Sequence, residues 1–173
     1  MRARFTAGLG LSSKVFWDTN LLIYHIEQMP EWQKEMDALI EWQKDEGMEV
    51  VTSSFSLAEI LVRPLSVAKH NVARRYRDLI CQIGALPFGV EEASRFAQIR
   101  AQYPDVKPPD ALQLACASVL GVGYFLTSER RLKWLTVENI SVINTLRDWY
   151  DARIGEPRIN ANSREGRRHD EDS

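Results

Sequence analysis

Apolar residues in this chain fall in short runs separated by polar breaks, and their period switches between strand-like and helix-like. Val15–Trp17 is a compact apolar run that suits a buried strand, and Asp18, Thr19 and Asn20 are residues that leave a strand and cap a helix, here Leu21–Ile26. Pro30 then opens a longer helix ended by Gly47, with Trp32, Met36, Leu39 and Ile40 on one face. Met48–Thr52 reads as a second strand. Ser56 and Glu59 have capping-box spacing before another apolar run, and Val67–Ile83 reads as a helix carrying Arg74, Arg75 and Arg77. Ala85–Phe88 is a short strand, and Val90–Gln102 is helical with Phe96 and Ile99 inward. Pro108 and Pro109 interrupt the chain, Asp110 caps a helix with Gln113 three residues on, and Gly121 closes it. Tyr124–Leu126 is the next buried strand, with Thr127, Ser128 and Glu129 at its end; Ile140–Ile143 is a last strand and Leu146–Tyr150 a last helical turn.

Strands alternating with helices predict an α/β fold, a three-layer α/β/α sandwich with a mainly parallel central sheet. The expected division is an N-terminal extension over residues 1–13, one domain over 14–150, and a polar, disordered tail over 151–173, which has almost no apolar residues. In such a sheet, ligands bind at the C-terminal ends of the strands. Asp18, Thr127 and Glu129 follow strands directly, Glu59 lies in the first turn after the second strand, and Asp110 begins the helix that feeds the next one. Four carboxylates therefore face one rim.

Composition narrows the partners. At 173 residues and 45% apolar, the chain suits one domain with a real core. Its net charge of −2 excludes a polycation that grips nucleic acid by bulk charge. Cys81 and Cys116, both in apolar helical segments, read as small buried hydrophobes in a reducing compartment. The opening stretch is basic but Gly-broken and too short for a secretory leader, and the uncharged run Ala111–Ser128 is divided by Gln113, Gly121 and Gly123. The chain is expected to be cytoplasmic, with no membrane segment.

Each acid has an ordinary explanation as a helix cap, where it gains only about 0.3 to 1 kcal/mol. The set is different. Two carboxylates about 4 Å apart repel by about 4 kcal/mol at an effective dielectric of about 20, so a cluster needs protons or a cation. Oxygen donors without a His or Cys cluster favour Mg²⁺ or Mn²⁺ over Zn²⁺. Two such ions activate water and stabilise the leaving oxygen in phosphodiester cleavage.

Asp-Thr-Asn at 18–20, Ala-Glu-Ile-Leu at 58–61, Asp-Ala-Leu-Gln-Leu-Ala at 110–115 and Leu-Thr-Ser-Glu-Arg-Arg-Leu at 126–132 resemble the successive motifs of the PIN-domain family, and most of all its VapC-type toxins. The resemblance covers roughly Lys14 to Leu146, and the ordered set is more specific than any single motif. It implies a PIN-like α/β/α fold and an Mg²⁺- or Mn²⁺-dependent endoribonuclease with an RNA substrate. It also implies a homodimer, neutralised by a small antitoxin protein that buries a helix or an extended tail beside the active site. Carried over by motif, Asp18, Glu59 and Asp110 match the family's three central acids, which ligate metal and orient water, and Glu129 matches the fourth. There the chain departs from the family's usual Asp, and the added methylene moves the carboxylate by about one bond length, weakening a second metal position. Asn20 matches a residue that steadies the first acid, Thr127 and Ser128 are candidates to hydrogen-bond a ligand, and Arg130 to meet a substrate phosphate.

Two other classes stand beside this one. The Glu129 departure keeps open a catalytically weak PIN-like module that binds RNA or protein. A phosphotransferase with Asp18 as nucleophile wants a second Asp two residues on, where this chain has Asn20. The face around Trp32 and Trp42 is, besides core, a candidate partner groove.

Overall fold

The computed structural model describes residues 12–153. Its five strands are β1 (Lys14–Trp17), β2 (Glu49–Ser53), β3 (Ala85–Leu86), β4 (Val122–Thr127) and β5 (Ile140–Thr145). They form one sheet in the order β3-β2-β1-β4-β5, and every pairing is parallel. The helices are α1 (Thr19–Glu27), α2 (Gln33–Glu46), α3 (Ser54–Ser66), α4 (His70–Ile83), α5 (Val90–Gln102), α6 (Pro108–Leu120) and α7 (Leu146–Arg153), with a 3-10 turn at Arg130–Trp134. Parallel neighbours need crossovers, which is why helices separate nearly all the strands.

The strands build outward from β1 to β3, then return to β4 on the other side of β1. The carboxyl ends of β1 and β4 therefore flank a topological switch point, where an open sheet leaves a crevice. Alternation along these strands feeds two cores. Val15, Trp17, Tyr124 and Leu126 pack with Leu21, Met36, Ile60, Ile80 and Trp149 from α1, α2, α3, α4 and α7. On the other face, Phe16 and Phe125 stack with ring centroids 5.2 Å apart, over Ile99, Leu114 and Cys116 of α5 and α6. The three-layer sandwich predicted from the hydropathy pattern is the observed architecture.

Several boundaries differ from the sequence reading. Pro30 precedes the second helix, which starts at Gln33 after Trp32, and Ile40 on its supposed inner face is exposed. The helix expected over Val67–Ile83 begins at His70, because α3 runs through Pro64 to Ser66. Cys81 is exposed, whereas Cys116 is buried. Trp42 lies edge-on to Tyr124 at 5.3 Å and close to Trp149, and Trp32 stacks on Tyr24 at 4.7 Å, so the candidate partner groove is filled by the protein's own aromatic rings. The expected tail also starts later than Asp151: α7 continues to Arg153, whose guanidinium donates to the Tyr124 hydroxyl and lies 4.6 Å from the Trp42 ring. Residues 1–11 and 154–173 of the expected extension and tail lie outside the described residues. No described helix is long and apolar enough to cross a membrane.

Gly123 shows how closely the chain's entry packs on β4. A Cβ there would lie 2.2 Å from the backbone carbonyl oxygen of Ser12. Gly123→Ala is expected to cost about 1–3 kcal/mol as the entry segment is pushed off β4, measured as a lower urea midpoint with an unchanged slope.

Candidate active site

The two ends of the switch point converge on Asp18. Its backbone is extended (φ −63°, ψ 159°) and its side chain caps α1, one oxygen accepting the Thr19 N–H at 2.6 Å. The other oxygen accepts the Thr127 hydroxyl at 2.7 Å, and the Thr127 oxygen in turn accepts the Glu129 N–H at 3.0 Å. Thr127 thus links the end of β1 to the start of the loop after β4. Asp18 is only 8% exposed. Burial pushes its carboxyl up to about 6, against the opposing pull of the Thr127 and Thr19 hydrogen bonds, and the negative charges of Asp110 and Glu59 add to the rise.

Glu59 does not cap its helix. Ser53 is the N-cap of α3 and accepts the Ser56 N–H at 3.1 Å, which leaves the Glu59 carboxylate to accept Thr19 Oγ1 and, at 3.2 Å, Gln113 Nε2. Asp110 is not a cap either. Lys107 holds that position, Pro108 and Pro109 fill the first two helical sites, and Asp110 stands in the first turn with its side chain 16% exposed. Burial and the Glu129 charge raise its carboxyl, Arg131 and Lys107 lower it, and Glu59 raises it further. The capping explanations that sequence alone favoured for Glu59 and Asp110 therefore fall away.

Asp18, Thr19, Asn20, Ile23, Glu59, Pro109, Asp110, Gln113 and Glu129 line one cavity of about 270 Å³. A second hollow of about 300 Å³ lies at the opposite end of the strands, among Ser12, Gly121, Val122, Asn139, Ile140 and Ser141, and none of those side chains titrates. Chemistry is concentrated at the first.

The supporting residues are placed as follows. Asn20 donates to Ser128 Oγ at 2.7 Å, so it braces the loop after β4 and not Asp18, whose own partners are Thr19 and Thr127. Ser128 also contacts Tyr24, whose hydroxyl is raised mainly by burial. Arg130 acts electrostatically on Asp148, away from the cavity. Arg131 instead faces the acids, 3.2 Å from Glu129 and 4.0 Å from Asp110.

Two site residues escaped the sequence reading. Arg131 was one of two adjacent arginines, and sequence does not say which one a 3-10 turn aims inward. Gln113 had been read as a capping partner of Asp110. In the structure it is 2% exposed and forms the hub beneath the cavity, accepting Ser53 Oγ at 2.7 Å and donating to Thr19 Oγ1 at 2.9 Å. A lone amide inside the apolar run Ala-Leu-Gln-Leu-Ala was the available signal.

The cavity's donor set, four carboxylates with no His or Cys among the lining residues, suits a hard divalent cation. Among the described residues, no group of three acidic, His or Cys side chains is arranged so that it could hold a metal ion. Two of the acids have other partners: Glu59 accepts from Thr19 and Gln113, and Glu129 from Arg131. The mutual repulsion recorded at Asp18 and Asp110 is the kind a cation relieves.

An open parallel sheet with an acidic cavity at its switch point has the ligand-binding edge of a doubly wound α/β domain. The chain belongs to the PIN domain family, whose model matches residues 15–136. Solved structures with the same fold include a chain of VapBC2 from Rickettsia felis bound to a DNA fragment from their promoter, with TM-score 0.58 and 14% identity, covering 76% of this chain and 98% of that one. A toxin–antitoxin complex from Klebsiella pneumoniae gives TM-score 0.57 and 19% identity over 76% of this chain and 97% of that one. FitAcB from Neisseria gonorrhoeae gives 0.54 and 22%, over 66% and 87%. No curated protein matches the sequence.

Proposed function

We propose that this protein is a divalent-metal-dependent endoribonuclease and the toxin of a toxin–antitoxin pair. The observation that carries the reading is the convergence of Asp18, Glu59, Asp110 and Glu129, from four separate elements, on one cavity at the switch point. Family membership supports a nuclease, and one of the structures with the same fold is a toxin–antitoxin complex.

Asp18, Glu59, Asp110 and Glu129 would hold Mg²⁺ or Mn²⁺, which supplies an activated water and charge neutralisation at the leaving oxygen. The chain's own residues do the positioning. Thr127 and the Thr19 N–H fix both oxygens of Asp18, so its orientation is set before any ligand enters. Gln113 and Thr19 hold Glu59, and Pro109 and Ile23 form the apolar part of the wall. Asp110, raised by burial and then by its acidic neighbours, would gain from a cation beside it. Glu129 is the outermost acid, 40% exposed, and completes the site from the loop after β4.

Residues 14–150, with the last turn of α7 to Arg153, form the catalytic unit, working in the cytoplasm as a homodimer. A small antitoxin protein neutralises it by covering the cavity's surroundings. Val62, Leu65 and Val67, exposed by 65%, 48% and 57% along and just past the end of α3, give such a partner an apolar strip.

The direct test is cleavage of a mixed pool of structured cellular RNAs by the purified protein in Mn²⁺, Mg²⁺ or EDTA, beside Asp110→Asn prepared identically. Cleavage is expected only with metal, and at least about a hundredfold slower in the variant. Equal cleavage by both proteins would overturn the reading.

A further inference from the structure

Besides Lys107, which acts on Asp110 from a distance, the acidic cavity faces a cation in ion-pair contact with its acids. The 3-10 turn after Glu129 places Arg131 Nη2 at 3.2 Å from Glu129 Oε2 and 4.0 Å from Asp110 Oδ2, spanning two of the four acids. Among the described residues Arg131 has no other ion pair, and its side chain is 57% exposed. The neighbouring Arg130 is exposed, does not line the cavity, and acts electrostatically on Asp148. A guanidinium and a divalent ion compete for the same carboxylate oxygens.

We propose that Arg131 is the site's resident counter-cation, that the metal displaces it from Asp110 and Glu129, and that the freed guanidinium then binds a backbone phosphate of the RNA. This rests on the nuclease reading and names a substrate-binding residue for it. The pair is exposed, hence easily broken by an ion of higher charge density. Arg131 is rooted in a turn that begins one residue after Glu129, so a displaced guanidinium stays at the cavity mouth, where the substrate's phosphates must pass. Its planar fork suits phosphate oxygens in two parallel hydrogen bonds. One positive charge thus serves two partners in turn: the acids before the metal arrives, the substrate afterwards.

Two measurements on the full chain test this. In the first, arginines react with phenylglyoxal in EDTA or saturating Mn²⁺, and the modified positions are mapped by mass spectrometry while calorimetry records Mn²⁺ binding. Arg131 is expected to react about two- to fivefold faster with Mn²⁺, a change of the size an exposed ion pair supports, and Arg130 at an unchanged rate. An unchanged rate at Arg131 with Mn²⁺ bound overturns the displacement. In the second, binding of an uncleavable 2′-O-methyl oligoribonucleotide of mixed sequence is followed against salt with Mn²⁺. Arg131→Gln is expected to weaken binding several-fold and reduce the salt slope by about 0.7, one phosphate contact on a single strand; in EDTA the two proteins should share one slope. Equal slopes with Mn²⁺ overturn the phosphate contact. Wild-type protein that binds neither Mn²⁺ nor the oligonucleotide defeats the nuclease reading itself, which separates that failure from a failure of Arg131.

Discussion

Asp18→Asn is expected to abolish RNA cleavage, by at least about a hundredfold, and yet to make the metal-free protein more stable at neutral pH. Its carboxyl stands at about 6 in the folded chain against an ordinary 3.8. An acid whose folded value is raised binds more protons in the native state than in the unfolded one between those two values. Stability from this group is therefore full below about pH 4, falls as pH rises through 3.8 to about 6, and stays low above that. The penalty at pH 7 is about 3 kcal/mol before any metal binds. An amide removes the charge but accepts the Thr19 and Thr127 hydrogen bonds less well, so a net gain of about 1–2 kcal/mol is expected. Urea unfolding in EDTA across pH 4 to 8 checks it: the variant's advantage should grow through the acidic range and level off. An advantage that does not change with pH would sink the account. Added Mn²⁺ should stabilise the wild type and leave the variant nearly unmoved.

Gln113→Leu is expected to be the most damaging single change that leaves every carboxylate in place. The buried amide oxygen accepts the Ser53 hydroxyl at 2.7 Å, and its two N–H bonds are shared among the Thr19, Ser56 and Glu59 oxygens. Leucine matches its volume but leaves those buried groups short of partners, at about 2–4 kcal/mol. Glu59 also loses one of the two groups that orient it. Cleavage should fall about tenfold even at temperatures where the variant is fully folded. The thermal midpoint and the rate at low temperature separate the two effects. A variant as stable as the wild type would show that the network is not cooperative.

The sheet was legible because its signal is local. Val15–Trp17 and Tyr124–Leu126 are apolar runs between polar breaks, and both lie inside observed strands. The four acids were legible less directly: Asp18 and Glu129 lie just past the ends of β1 and β4, whereas Glu59 and Asp110 stand near the starts of α3 and α6. What sequence hid was the direction of side chains. Glu59 and Asp110 had helix-capping spacings that the structure does not use, because Ser53 and Lys107 hold the cap positions and shift each acid a turn inward. Gln113 makes its bonds to residues up to 94 positions away, beyond any local pattern. The end of the domain was misplaced because Asp-Ala-Arg looks like a solvated tail, whereas Arg153 spends its charge over the faces of Trp42, Tyr124 and Trp149.

The hydrogen bond from Thr127 to Asp18 joins residues 109 positions apart. A ribosome making this chain has long finished the first acid before it reaches the hydroxyl that orients it, and β1 gains its β4 neighbour only when the second half of the domain is outside the tunnel. A nascent or prematurely ended chain thus carries Asp18, Glu59 and Asp110 without the framework that makes them a site. On the proposed nuclease reading, cleavage is therefore expected only of chains made through β4, and of none that end before Thr127.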